Sequence, residues 1–198
     1  MLHHYRTTPL ILVILLLSTL VIKISTWAQG HGWEHHGWTG GISVVSVVGG
    51  FLALHDRLLW RFPVFNWLVN VPVVRGEYTG TIRYVYDGEE RAKDVQAVVK
   101  QRATSISVQC SFRAIGDARQ EDTRSRSTHA DLFDTDGHGS WQLCMQYRNE
   151  GERVTGTTTA HDGIAVLDLD LATGALKGHY YTNRKTMGSM ELRPVQNQ

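Results

Sequence analysis

The sequence predicts an N-terminal two-helix transmembrane hairpin followed by an all-β domain, which we expect to be an eight-stranded antiparallel up-and-down β-barrel. Two apolar runs, over residues 8–25 and 40–57, predict the hairpin. Beyond residue 75, apolar and polar residues alternate in eight short segments, as they do in half-buried strands. The predicted division is a hairpin at 1–62, an interfacial connector at 63–74 and the β-domain at 75–198.

The first apolar run, TPLILVILLLSTLVIKIS, contains only Lys23 and small hydroxyl residues as polar positions. Roughly 20 apolar residues cross a bilayer core, and a lysine near a helix end can reach the headgroups. A cleaved signal peptide is the rival interpretation. The apolar stretch is long for that purpose, and the following TWAQG is a poor cleavage site, so we predict a retained helix.

The second apolar run, GGISVVSVVGGFLAL, is shorter and less apolar, and it needs its flanking residues to cross a bilayer. Ser43, Ser46 and Gly50 put small residues on one helix face, where another helix can approach closely, either within the hairpin or between copies of the chain. Five of the six tryptophans flank the two runs, as expected for rings at headgroup level: Trp27, Trp33, Trp38, Trp60 and Trp67.

The cations near the span ends predict the orientation of the hairpin. Arg6 precedes the first run, Arg57 and Arg61 follow the second, and Lys23 alone lies toward the connecting loop. By the positive-inside rule, both termini lie in the cytoplasm and the loop lies outside.

Metal binding and catalysis find little support in the sequence. The histidines of the loop, His31, His35 and His36, lack a cysteine or carboxylate cluster that would complete a metal site. The segment THADLFDTDGHG nearly meets the EF-hand spacing with Asp134 and Asp136, but the terminal glutamate is missing, so a hairpin turn is the better interpretation. The chain also lacks the GxSxG, HExxH, P-loop and GxGxxG motifs, and we predict a protein that is not an enzyme and has no cofactor.

The net charge and the cysteine content further limit the classes of function that the chain can have. The formal net charge is +1, so no basic field predicts binding to DNA or RNA. Cys110 and Cys144 have no CxxC spacing; free thiols are favoured, and a bridge between them stays open.

The β-domain has short turns and no helical period, which excludes parallel βαβ units. Eight antiparallel neighbours favour a closed barrel, because closure removes exposed edges; a sandwich is the alternative. A barrel of about eight strands can hold one small ligand, as in a minimal lipocalin-like fold.

Aromatic and cationic residues on the first, fifth and last strands are the candidate ligand-binding residues. Aromatic faces stack nucleobases, and arginine forks onto phosphate. Core packing is the better explanation for any single tyrosine taken alone, and Tyr78 and Arg83 share one face only if the strand bends near Gly80. The predicted binding residues are Tyr78, Thr81, Arg83, Trp141, Tyr181, Thr182 and Arg184.

The order of these segments resembles a known family over nearly the whole chain. A membrane hairpin precedes GEYTGTIRY, the serine-rich SRSTHADL, the His-x-Gly step from His161 to Gly163, and the closing LKGHYYTNRKTMGSMEL. This arrangement is similar to the membrane effectors of bacterial CBASS antiviral defence, specifically the SMODS-associated effectors with two transmembrane helices and a β-barrel that senses cyclic nucleotides.

The resemblance implies a function. In that family a cGAS/DncV-like nucleotidyltransferase makes a cyclic oligonucleotide, here expected to be a dinucleotide, and the cytoplasmic barrel binds it. The effector then forms a homo-oligomer and disrupts the cell inner membrane, so that the phage-infected bacterium dies by abortive infection. The resemblance assigns base stacking to Tyr78 and Trp141, phosphate binding to Arg83 and Arg184, and hydrogen bonding to Thr81 and Thr182.

Two other function classes remain open at this point. The chain could be a membrane-anchored lipocalin-like protein that binds an apolar small molecule, although the arginines on its strands disfavour that. It could also be a hydrolase with an unrecognised site, which the absence of a motif makes the weakest of the three.

Overall fold

The computed structural model consists of two compact units. The first unit contains residues 1–71 together with the turn residues 102–104, and the second contains residues 72–101 and 105–198. The structure describes residues 4–31, 44–86, 88–115, 123–151 and 159–195.

The first unit begins with α1, Thr7–Gly30. Its 24 residues give a length of about 36 Å, against roughly 30 Å for a bilayer core. Its apolar side chains are exposed, with Leu16 67% and Leu12 60% accessible. By length and composition α1 can therefore cross a membrane, a test that a signal sequence also passes.

The predicted second crossing is a shorter helix in the structure. The helix α2, Val44–Arg57, has 14 residues and packs against α1. Its described residues extend over about 21 Å, less than the roughly 30 Å of a bilayer core, and they end in the polar sequence His55-Asp56-Arg57. Within the described part of the chain, only α1 is long and apolar enough to span. Of the two predicted spanning helices, only the first is thus shown to have the length and composition that a crossing needs.

The polar end of α2 is bonded inside the first unit. The buried His55 ring lies 2.9 Å from the Tyr5 hydroxyl through Nδ1 and 3.2 Å from the Phe65 carbonyl oxygen through Nε2. The Asp56 carboxylate accepts hydrogen bonds from the Thr104 amide, at 2.9 Å, and from its hydroxyl, at 2.7 Å. The unit is completed by a 3₁₀ turn, Leu59–Arg61, and by the short helix α3, Pro63–Asn66.

The second unit is a closed barrel in which every strand pairs antiparallel with its neighbours in sequence and the last pairs with the first. The predicted eight-stranded up-and-down barrel is therefore confirmed. Its strands are β1 Gly76–Tyr86, β2 Glu89–Gln101, β3 Ile106–Ala114, β4 Thr123–Asp134, β5 Trp141–Asn149, β6 His161–Leu169, β7 Leu176–Thr182 and β8 Met187–Pro194.

The inward-facing side chains of the strands fill one half of the barrel interior. Leu143, Leu167, Leu176 and Leu192 are almost fully buried and lie toward the end at which β1 begins. Burying one such side chain contributes about 1.5–3 kcal/mol, which makes these leucines a main source of barrel stability. Because they close that end, free interior space lies toward the other end.

Candidate ligand-binding cavity

A cavity of about 290 Å³ opens at the other end of the barrel. It lies where the odd-numbered strands end and the even-numbered strands begin, and the aliphatic side chains described above form the barrel interior beneath it. Its lining consists of Ile82, Tyr84, Arg91, Lys93, Phe112, Thr123, Tyr147, Asn149, His161, Tyr180, Thr182, Arg184, Thr186 and Met190.

The deep part of the cavity is apolar and aromatic. Ile82, Phe112 and Met190 are buried there, and Tyr147 and Tyr180 are also buried, with 7% and 6% exposure. Flat, apolar walls of this kind suit a planar ring that enters the barrel, because ring faces stack and apolar surface is removed from water.

Two glycines make room for these tyrosine rings. Gly163 pairs with Tyr147 across β5 and β6, and Gly188 pairs with Tyr180 across β7 and β8. A methyl group on Gly163 would collide with the Tyr147 ring, and one on Gly188 would approach the Tyr180 ring to 2.8 Å. The rings therefore lie over bare backbone, which fixes where their hydroxyls point.

The tyrosine hydroxyls are kept neutral by their surroundings. Burial, and secondarily the Cys110 thiol, raise the pKa of Tyr147 to about 12. Burial also raises the pKa of Tyr180, with smaller contributions from Tyr147 and Tyr84. For Tyr84 burial raises the pKa, while the positive charge of Arg91 opposes the rise. At neutral pH these hydroxyls can both donate and accept hydrogen bonds.

Buried polar groups are also present in the cavity wall. Thr123 and Asn149 are only 3% and 5% exposed. The Asn149 side-chain oxygen accepts a 2.8 Å hydrogen bond from the Gly151 amide. That bond orients the side chain so that its NH₂ group is the one a ligand can reach, and an NH₂ group donates.

The mouth of the cavity is positively charged. Arg91 and Lys93 lie on β2, and Arg184 lies in the turn between β7 and β8. His161, at the start of β6, is half-buried and lies 3.1 Å from the Thr159 carbonyl oxygen through Nδ1. Arg91 forms an exposed 3.3 Å ion pair with Glu89, but among the described lining residues themselves none is Asp or Glu. The net charge of the lining is therefore positive, which favours anions such as phosphates.

Two of the seven predicted binding residues, Thr182 and Arg184, line this cavity. The Thr182 amide and hydroxyl both donate to the Thr186 carbonyl oxygen, at 2.9 and 3.3 Å, which closes the turn that carries Arg184. The structure thus brings together two of the three residues predicted from the last hairpin.

Two further predicted residues point inward at the opposite end of the barrel. The Tyr78 ring is 4% exposed, and its hydroxyl donates a 2.8 Å hydrogen bond to the Val74 carbonyl oxygen. Trp141 starts β5 and is 9% exposed. Neither lines the cavity, and their contact with a ligand stays a prediction.

The remaining three predicted residues lie on the outer face. Thr81 and Arg83 flank the buried Ile82 on β1, so they point away from the interior. Tyr181 follows the inward Tyr180 and is 53% exposed. Their ligand contacts also stay predictions.

Several cavity residues were not predicted from the sequence, among them Tyr147, Asn149 and Lys93. The alternation of inward and outward residues along each strand could have identified them. On β5, for example, Leu143 and Met145 mark the inward positions, and Tyr147 and Asn149 continue that phase toward the open end.

The cysteines and the Asp-rich turn lie outside the cavity. Cys110 is buried inside the barrel, whereas Cys144 is in the outward phase of β5, so the two thiols lie on opposite faces of the wall. In the turn after β4, Asp136 accepts hydrogen bonds from the His138 and Ser140 amides and from the Ser140 hydroxyl. In the residues that the structure describes, no cluster of three metal-ligating side chains is found.

Comparison with known proteins gives a family. No curated protein matches the chain. The family model described as "Cap15, cyclic dinucleotide receptor domain" matches residues 69–194, a range that contains all eight strands and well over half of the chain. The barrel, its phosphate-compatible mouth and this match agree, and the chain belongs to the Cap15 cyclic dinucleotide receptor domain family.

Proposed function

We propose that the cavity binds a cyclic dinucleotide with one base in the aromatic interior and its phosphates at the cationic mouth. The observation that carries this proposal is the change in polarity along one cavity. The lining is apolar in the interior, at Phe112 and Met190, and cationic at the mouth, at Arg91 and Arg184. A base has an apolar face and a phosphate is anionic, so each half of a nucleotide matches one part of the cavity.

The size of the cavity supports this orientation. Ligand pockets usually measure roughly 300–1,000 Å³, and this one, at about 290 Å³, lies at the small end. A cyclic dinucleotide contains two bases, two sugars and two phosphates. Enclosing one base leaves the charged ring of the ligand at the mouth, where it need not be fully desolvated.

The wider role in this proposal is that of a CBASS effector. A cGAS/DncV-like nucleotidyltransferase supplies the ligand, the bound protein assembles into a homo-oligomer, and the bacterial inner membrane loses its integrity. The exposed apolar surface of α1 supports a membrane anchor, and the packing of α2 against α1 supports a helical hairpin. A second crossing, with both termini cytoplasmic, is part of this proposal. Ligand drives such assembly only if it binds the assembled state more tightly.

The proposed activity is binding and membrane disruption, not catalysis. The basic and aromatic cavity suits a ligand that is held, and the absence of a catalytic motif in the sequence supports the same view.

Calorimetry on the full chain in detergent tests ligand binding. The ligands are cyclic di-GMP, cyclic di-AMP and cyclic GMP–AMP, and the key variant is Arg184→Ala, which removes one mouth cation. We expect it to weaken the binding of the preferred ligand about 10- to 100-fold, because a hydrogen bond to a charged group contributes about 1.5–3 kcal/mol. Arg126→Ala, at an exposed position on the outer face of β4, is the matched control.

Equal affinities of wild type, Arg184→Ala and Arg126→Ala would show that the cavity mouth does not hold the phosphates. The apolar interior also fits the second candidate, a carrier of an apolar molecule, because Ile82, Phe112 and Met190 would accept an acyl chain. Tight binding of dodecanoate without any response to the three cyclic dinucleotides would favour the carrier.

A further inference from the structure

Four large apolar side chains lie exposed in a row on the outside of the barrel, close to the cavity mouth. Val85 is 61%, Met187 65%, Tyr181 53% and Ile164 44% exposed. They belong to four successive strands around the closed sheet, β1, β8, β7 and β6. We call these four residues the outer apolar patch.

The strand register shows that the patch is continuous. Ile164 pairs with Tyr181, and Tyr181 pairs with Met187. Val85 lies one residue beyond the Tyr84–Gly188 pair and lines the same groove as Met187. Neighbouring residues on one sheet face touch, so the four side chains form one surface and not scattered exposures.

Other exposed apolar residues of the barrel wall are isolated by comparison. Val98 pairs with Gln109, and Phe133 pairs with Gln142. Single exposed apolar residues are normal on protein surfaces, whereas a contiguous patch marks an interaction site.

The patch also contains a groove with charges of both signs. Ser189, which is on the same outer face as Met187, has a small side chain, and the backbone of Gly188 lies beside it, so the surface is indented next to Met187. Arg83 and Glu90 stand on its rim and are both exposed.

We infer that the outer apolar patch is the surface through which a second copy of this chain docks. This inference rests on the proposed function, in which ligand binding leads to assembly. The closed sheet offers no free strand edge for pairing, so copies of the barrel must associate through side chains. Arg83 and Glu90 carry opposite charges and both border the groove, so two copies that meet at this face can pair opposite charges across the interface.

The charges favour a second copy over a lipid surface as the occupant. Surfaces that bind anionic bilayers carry an excess of Lys and Arg around their apolar residues. Here one cation and one anion border the groove. Tyr and Met, two of the patch residues, are also enriched in protein interfaces.

The position of the patch links it to the ligand site. Tyr180 lines the cavity, and the next residue, Tyr181, belongs to the patch. Arg184 of the mouth lies in the turn between Tyr181 and Met187. A ligand that orders this turn acts directly on the end of β7 and the start of β8, which carry Tyr181 and Met187, two of the four patch residues.

Met187→Glu tests the surface, with Phe133→Glu as the matched control at an exposed apolar position outside the patch. The full chain in detergent is mixed with cyclic di-GMP, cyclic di-AMP or cyclic GMP–AMP. Binding is measured by calorimetry and assembly by sedimentation velocity. We expect Met187→Glu to bind the active ligand within about twofold of wild type but to require at least about tenfold more protein to assemble. Phe133→Glu should match wild type in both measurements.

Met187→Cys, in a Cys144→Ser background, tests the identity of the occupant. We expect a disulfide-linked dimer on oxidation that increases when the active ligand is present. If Met187→Glu assembles like wild type, or if Met187→Cys gives no cross-link while the protein assembles, the docking inference is overturned. Wild-type protein that binds none of the three ligands, or that binds without assembling, would instead overturn the proposed function and with it this inference.

Discussion

At the floor of the cavity, two tyrosine rings each lie over a glycine on the adjacent strand, and this contact fixes the position of each hydroxyl. Tyr147 lies over Gly163 and Tyr180 over Gly188. Both hydroxyls lose contact with water on folding, so the protein favours their neutral form and raises their pKa values. A charged tyrosinate in this cavity would also repel a phosphate-bearing ligand.

The raised pKa of Tyr147 predicts a loss of stability in alkali. The pKa rises from 10.0 in the unfolded chain to about 12 in the folded one, so the unfolded state loses this proton first. The stabilisation is complete below about pH 10 and is lost as the pH rises toward about 12. For Tyr147 it amounts to on the order of 2–3 kcal/mol.

We expect the unfolding free energy of the Tyr147→Phe variant to fall less over this window than that of wild type. Urea unfolding followed by circular dichroism at several pH values between about 8 and 12 measures the difference. Parallel curves for the two proteins would contradict the argument.

Single residues also show how far the sequence predicts the site. Thr182 and Arg184, which the sequence predicts from the last hairpin, line the cavity, and their contact with a ligand stays a prediction. The sequence prediction names Tyr181, but two adjacent tyrosines do not reveal which one points inward. That choice depends on the phase of β7, which the buried Leu176 sets five residues earlier.

At the scale of elements, hydrogen bonds within the first unit connect the end of α2 to the turn between β2 and β3. Asp56 accepts two hydrogen bonds from Thr104, and its backbone carbonyl accepts a third from the Ala103 amide at 3.2 Å. The chain on either side of this turn continues directly into β2 and β3. A change in those strands therefore has a bonded route to α2.

Asp56→Ala is expected to separate ligand binding from the membrane response. The variant removes the side-chain acceptor for Thr104 but leaves every cavity residue in place. We expect its affinity for the cyclic dinucleotide to stay within about twofold of wild type, while ligand-induced dye entry into cells that express it falls several-fold. Asp94→Ala, at an exposed carboxylate on β2, is the matched control. Dye entry equal to wild type in Asp56→Ala cells would rule out this route.

The helices show a limit of composition-based prediction. Hydropathy over residues 40–57 predicts a span because it averages over a window and ignores where the helix begins and what its end contacts. In the structure His55 and Asp56 are bonded to Tyr5, Phe65 and Thr104, so the polar end of α2 has structural partners. The described helix, Val44–Arg57, ends at the predicted residue, but its last turn is polar and hydrogen-bonded.

For the whole molecule, the barrel could be predicted because the strand number, the short turns and the lack of a helical period beyond residue 75 leave few topologies for that domain. Closure follows because an open sheet would expose its edges. The match to the Cap15 receptor domain confirms the resemblance to CBASS proteins at the level of this domain. The depth of the cavity could not be predicted, since it depends on how far Leu143, Leu167 and their neighbours fill the interior from one end.

The topology of the whole chain gives a prediction that separates one crossing from two. If α1 and α2 both cross, Glu34, in the segment between them and outside the described residues, lies on the opposite side of the membrane from Val195, which follows β8. If α1 alone crosses, both positions lie on the same side.

We expect Glu34→Cys to react with a membrane-impermeant maleimide in intact cells, and Val195→Cys, at a position that is 41% exposed, to react only after the inner membrane is permeabilised. Both variants carry Cys144→Ser, so that the introduced thiol is the accessible one. Reaction of both positions, or of neither, in intact cells would mean a single crossing. Reaction of Val195→Cys would also place the barrel outside the cytoplasm, where a cytoplasmic cyclic dinucleotide could not reach it.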